Sequence, residues 1–95
     1  MGRAKRIRVK RLPEKLLQIR NTLNLSQNEL IKELGLEDLI YQNNVSGYES
    51  GEREPPLPFI LAYAQLAGIS TDFLIDDELD LPDKLRRKTN KTTSL

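Results

Sequence analysis

The stretches Asn24-Leu25-Ser26-Gln27-Asn28-Glu29-Leu30 and Val45-Ser46-Gly47-Tyr48-Glu49-Ser50-Gly51-Glu52-Arg53-Glu54-Pro55 decide how this chain is read. Ser26 with Glu29 is a capping-box pattern. The serine hydroxyl accepts an N–H of the first helical turn, and the glutamate reaches back to the cap's own N–H. Leu30, Ile31 and Leu34 follow at helical spacing, and Gly35 supplies a stop. In the second stretch Val45 and Tyr48 sit about one helical turn apart and point inward, which gives a short helix over 42–49. The run 50–56 is a loop by composition, rich in Gly, Glu and Pro. The two stretches therefore read as two short helices joined through a turn.

Outward from this pair the punctuation stays helical. Pro13-Glu14 starts a first helix, because proline loses nothing at the first helical position. Leu16, Leu17, Ile19, Arg20 and Leu23 carry it to a close at Asn24. Pro58 opens a fourth helix over 57–67 that Gly68 ends. Ser70 or Thr71 caps a short fifth helix through Leu74, and Pro82 can start a small sixth over 81–88. Phe59, Leu61, Tyr63, Leu66, Ile69 and Phe73 are the core expected from helices 4 and 5. No alternation of β-branched residues marks a strand, so the fold class expected is all-α.

Composition narrows the function. The chain has 95 residues, with no Cys and no His. That removes disulfides, thiol nucleophiles, the usual general base and the commonest metal ligands. No apolar run approaches the roughly 20 residues of a membrane span. The expectation is a soluble, cytoplasmic, non-enzymatic module without cofactor or metal. The net charge of +1 is an average over unlike parts. Residues 1–20 carry eight cations against Glu14, for +7. Residues 21–83 carry Lys32 and Arg53 against thirteen carboxylates, for −11, and residues 84–95 add +5.

Together with Leu16-Leu17-Gln18-Ile19-Arg20 and Leu34-Gly35-Leu36, the two stretches resemble the lambda-repressor-like (XRE) helix-turn-helix family. That family has an arginine in helix 1, Leu-Ser-Gln opening helix 2, and Tyr-Glu-x-Gly-x-Arg-x-Pro ending helix 3. The likeness runs from about residue 12 to 75. It implies a five-helix DNA-binding domain over 12–81, flanked by a basic arm over 1–11 and a basic extension over 82–95, and usually dimeric. It also implies a partly buried ion pair between Arg20 and Glu49, and a phosphate contact at Gln27. Helix 3 becomes the recognition helix. Its candidate base contacts are Gln42, Asn43, Asn44, Ser46 and Gly47, since Gln and Asn can bond adenine through two hydrogen bonds. Tyr41 and Arg53 are further candidate phosphate contacts. Gly47, costly inside a helix, suggests close approach of something on that face. Tyr48 is expected to pack inward.

The chain departs from the family pattern twice. About four extra residues within 36–44 lengthen the turn before helix 3, and Leu39 and Ile40 are expected to pack on the core. The loop after helix 3 also lacks the lysines and arginines usual there, keeping only Arg53. Phosphate contacts dominate affinity for DNA. The arm residues Arg3, Lys5, Arg6, Arg8, Lys10 and Arg11 are therefore expected to supply the grip, and the cluster 84–91 reads either as a DNA contact or as a charged terminal helix. The leading expectation is a transcriptional regulator that occupies an operator as a homodimer. The alternative is a protein-interaction module or antitoxin, motivated by the acidic run 76–83. Asp76, Asp77, Glu78 and Asp80 lack calcium-loop spacing and read as a solvated turn.

Overall fold

The computed structural model describes residues 8–83 and Leu85. Five helices and no strand occur among these residues: α1 Leu12–Thr22, α2 Gln27–Leu34, α3 Gln42–Ser50, α4 Leu57–Ala67 and α5 Asp72–Ile75. Local chemistry sets most of their ends. Pro13 opens α1, and Asn24, in the left-handed region at φ 62°, turns the chain after it. At α2 the capping box is complete. Ser26 Oγ accepts the Glu29 N–H at 3.0 Å, and Glu29 Oε1 accepts the Ser26 N–H at 2.8 Å. The Ser26 backbone N–H, followed by the Ser26 hydroxyl, holds the Glu29 carboxyl below its ordinary value. Gly35 adopts φ 72°, a conformation that a side chain would strain, and it releases the chain into the long turn.

The core draws on every helix: Leu12, Leu16 and Ile19 of α1, Leu30 and Ile31 of α2, Val45 and Tyr48 of α3, Leu74 of α5, and six residues of α4 that include Phe59 and Tyr63. Burying a side chain of this size stabilises the fold by roughly 1.5–3 kcal/mol. The rings of Tyr48 and Phe59 meet edge to face at 4.8 Å. Tyr63 donates its hydroxyl proton to the Leu16 carbonyl at 2.6 Å, and burial pushes its phenol pKa up.

Three expectations change. Leu61 is exposed, because it lies on the face of α4 turned away from the core. Phe73 is half-buried and stands outside the core cluster, whereas Ile69 packs against it. In the long turn Ile40 packs against the core while Leu39 stands 74% exposed. The Leu39 and Ile40 N–H groups both donate to the Leu36 carbonyl, which coils the inserted residues so that the two side chains diverge. The sixth helix expected over 81–88 falls mostly outside the described residues. Leu81, Pro82, Asp83 and Leu85 are not helical.

Sequence patterns gave no sign of the role of Lys15. Its side chain is buried, and its ammonium donates to the carbonyls of Phe73 (2.8 Å), Asp76 (3.1 Å) and Leu79 (2.7 Å). A helix ends with unpaired carbonyls. Lys15 reaches across from α1 to satisfy those at the end of α5 and in the turn that follows.

Candidate nucleic-acid interface

Helix α3 packs on α1 and α2, and a single carboxylate fixes how. Glu49 accepts from Arg20 through Nε at 2.7 Å and Nη2 at 3.0 Å, and from Gln27 Nε2 at 3.1 Å. Arg20 Nη1 also donates to the Leu25 carbonyl at 2.9 Å. The two charged side chains are 15% and 7% exposed. This network joins α1, the α1–α2 turn, the start of α2 and the end of α3. It thereby sets the angle between the two helices of the motif. The carboxylate holds the Arg20 pKa above its ordinary value. The ion pair is the one expected.

The Gln27 amide donates to the Glu49 carboxylate through Nε2, a charged acceptor beside the start of α2. The backbone N–H groups of that helix start remain a site that favours anions.

Along α3, Gln42, Asn43, Ser46 and Ser50 are exposed, while Val45, Gly47 and Tyr48 are buried. Positions 42, 46 and 50 fall at helical spacing on one stripe. That stripe carries amide and hydroxyl groups and no charge. Asn44 is partly withdrawn from it. Its Oδ1 accepts the Tyr41 N–H at 2.8 Å, so the side chain caps α3, as short amide side chains do at helix starts. Tyr41 is 71% exposed at the head of α3. Ser50, which the sequence reading passed over, donates to the Gly47 carbonyl and accepts from the Glu52 N–H.

The close approach expected at Gly47 comes from within the chain. The group that approaches it closely is the chain's own Arg53: a Cβ at Gly47 would lie 3.0 Å from Arg53 Cδ. The Arg53 N–H donates to the Gly47 carbonyl at 3.1 Å. The glycine thus makes room for the stem of Arg53, whose residue is exposed.

The arm is the largest change. Arg3, Lys5 and Arg6 lie outside the described residues. Of the others, Arg8 donates from Nη2 to the Gly51 carbonyl at 3.2 Å and pairs through Nε with Glu54 at 3.2 Å. The backbone N–H groups of Lys10 and Arg11 each donate to an oxygen of the Asp77 carboxylate at 2.9 Å. The Arg11 guanidinium bonds Asp80 at 2.8 Å, the Asp77 carbonyl at 2.9 Å and Glu14 at 3.3 Å. The two backbone bonds hold the Asp77 carboxyl below the usual carboxylate range. The acidic turn thus holds the end of the arm through two backbone hydrogen bonds and one ion pair. The turn is not simply solvated, and Arg11 is engaged within the protein.

A profile of the helix-turn-helix family matches residues 16–74. The chain belongs to this family. Its fold is the five-helix, lambda-repressor-like arrangement, with α2 and α3 as the helix-turn-helix. Among curated proteins, an uncharacterized HTH-type transcriptional regulator, YobD of Bacillus subtilis (strain 168), is 28% identical over 78 residues. That match covers 82% of this chain and 66% of the relative, so the chain spans just under two thirds of the relative's length. No solved structure gives a significant match. Among the described residues, no helix is long and apolar enough to cross a membrane, and no group of acidic side chains is arranged to hold a metal ion.

Proposed function

We propose that this helix-turn-helix protein is a sequence-specific DNA-binding transcriptional regulator that acts by occupying an operator. One observation carries the reading. The α3 edge formed by Gln42, Asn43 and Ser46 is exposed, while the opposite edge is anchored by Val45, Tyr48 and the Glu49 network. In this motif the second helix lies in the major groove with its N-terminal residues at base edges. Gln42 and Asn43 supply donor and acceptor pairs suited to adenine, worth about 1–3 kcal/mol of discrimination for each well-made pair. Tyr41, Arg53 and the start of α2 face the flanking phosphates.

The same reading includes a homodimer. Leu57, Leu61 and Ile75 are 77%, 51% and 43% exposed, and with Pro58, Ile60 and Thr71 they line one apolar depression on α4 and α5. A second copy seated there would supply the dimer that a two-half-site operator, with half-sites about 34–36 Å apart, requires. The acidic turn, which taken alone favours an interaction module or antitoxin, has its own partner in the N-terminal segment.

Selection of fragments from a random DNA library, followed by band-shift titration, tests the proposal. The expected product is a family of fragments with a two-fold symmetric motif. Recovery of no fragment above background at low salt would overturn it.

A further inference from the structure

The loop after α3 carries Glu52 and Glu54 against Arg53 alone, a net −1 beside a polyanion. The tertiary structure alters that balance. Arg8, 43 residues from Gly51 in sequence, is laid on this loop through the Gly51 carbonyl and Glu54. Arg8, Tyr48, Glu52, Arg53 and Glu54 line one open polar depression. With Arg8 in place the loop is neutral, and two guanidinium groups flank it. The Arg8–Glu54 pair is solvent-exposed, with side chains 45% and 33% accessible. Exposed pairs of this kind are weak, so the pair can orient Arg8 while its remaining N–H donors stay available to a phosphate oxygen.

What brings Arg8 to this point is the acidic turn after α5. Asp77 accepts the N–H groups of two consecutive residues, Lys10 and Arg11, and Asp80 takes the Arg11 guanidinium. Lys15 binds the carbonyls of the same turn from below. Backbone bonds to one carboxylate fix the direction of the chain, not merely the location of a side chain. They lie two residues from Arg8.

We propose that the turn centred on Asp77 is a clasp that positions Arg8 beside Arg53, and that these two arginines form one phosphate-binding site at the end of the recognition helix. Asp77 is a positioning residue that touches no DNA, and its carboxylate strengthens binding to a polyanion. The proposal rests on the DNA-binding reading above.

The test compares the full-length protein with Arg8→Ala, Asp77→Ala and the double variant, binding a labelled mixed-sequence duplex of about 20 base pairs over a range of salt. Arg8→Ala is expected to weaken binding about 3- to 10-fold at low salt and to lower the salt slope by about one. Asp77→Ala removes a negative charge, so simple electrostatics predicts tighter binding; the clasp predicts a loss like that of Arg8→Ala. The double variant should then be no weaker than either single one. Hydrogen exchange should show the Lys10 and Arg11 amides protected in the wild type and unprotected in Asp77→Ala. Should Asp77→Ala fail to fold, Asp77→Asn, which keeps one acceptor oxygen, takes its place with a smaller loss in the same direction. Tighter or unchanged binding by the Asp77 variant, or multiplying effects in the double variant, overturns the clasp alone. Failure of the wild type to bind the duplex overturns the DNA-binding reading and the clasp with it.

Discussion

Replacing Lys15 by Met keeps the aliphatic stem and removes the ammonium. In the native protein that ammonium makes three hydrogen bonds of 2.7–3.1 Å to the carbonyls of Phe73, Asp76 and Leu79. Hydrogen bonds to a charged group contribute about 1.5–3 kcal/mol each, and a buried acceptor left unpaired costs about 1–3 kcal/mol. Two effects reduce the sum. The substitution also removes the several kcal/mol cost of burying a charge, and Asp76 is exposed, so water can reach its carbonyl. The net expectation is a loss of about 2–4 kcal/mol, a large part of the 5–15 kcal/mol typical of a domain. The melting temperature should fall by roughly 10–25 °C. Urea denaturation followed by helical circular dichroism measures it, with the exposed Lys10→Met as a control expected to stay within about 0.5 kcal/mol. A loss below about 0.5 kcal/mol for Lys15→Met would show that the ammonium does not hold the α5 turn.

Three other outcomes are expected. Glu49→Ala leaves Arg20 without its carboxylate and Gln27 without its acceptor; it should cost about 3–5 kcal/mol in the same denaturation assay, and a change under about 1 kcal/mol would refute the assignment of Glu49 as the hub of the motif. Gly47→Ala should raise helix propensity by up to about 1 kcal/mol while forcing the Arg53 stem aside, so thermal stability should hold or rise as DNA affinity falls; parallel loss of both would place the close contact elsewhere. The carboxyls of Asp77 and Glu29 have depressed pKa values, so their contribution to stability is present above the unfolded value of about 4 and is lost as pH falls through the lower folded value. Stability should therefore drop below about pH 4, and Asp77→Asn should flatten that part of the pH profile.

The helices were legible because their ends are written within a few residues. Ser26 and Glu29, Pro13, Asn24 and Gly35 act on their immediate neighbours, so a linear reading finds them. The Arg20–Glu49 pair, 29 residues apart, was found through the family pattern. The internal partners of the N-terminal cations were not legible, for the opposite reason. Arg8, Arg11 and Lys15 look in sequence like one cationic run. Apart from Glu14 beside Arg11, their partners lie 43 to 69 residues away, beyond the reach of any local pattern. Gly47 was identified as a place of close approach, but the approaching group, Arg53, depends on how the chain doubles back after Gly51.

The sequence by itself therefore determined the five helices, the family, and which edge of α3 carries Gln42, Asn43 and Ser46, because helix periodicity and capping are short-range. Only the tertiary structure decided which charges remain available to a partner. Coulomb energy depends on distance in space, and folding brings the cationic end of the chain against its acidic turn. Among the described residues the +7 and −11 segments are in part each other's counterions, and under the proposed reading Arg8, Arg53 and the polar edge of α3 are groups offered to DNA.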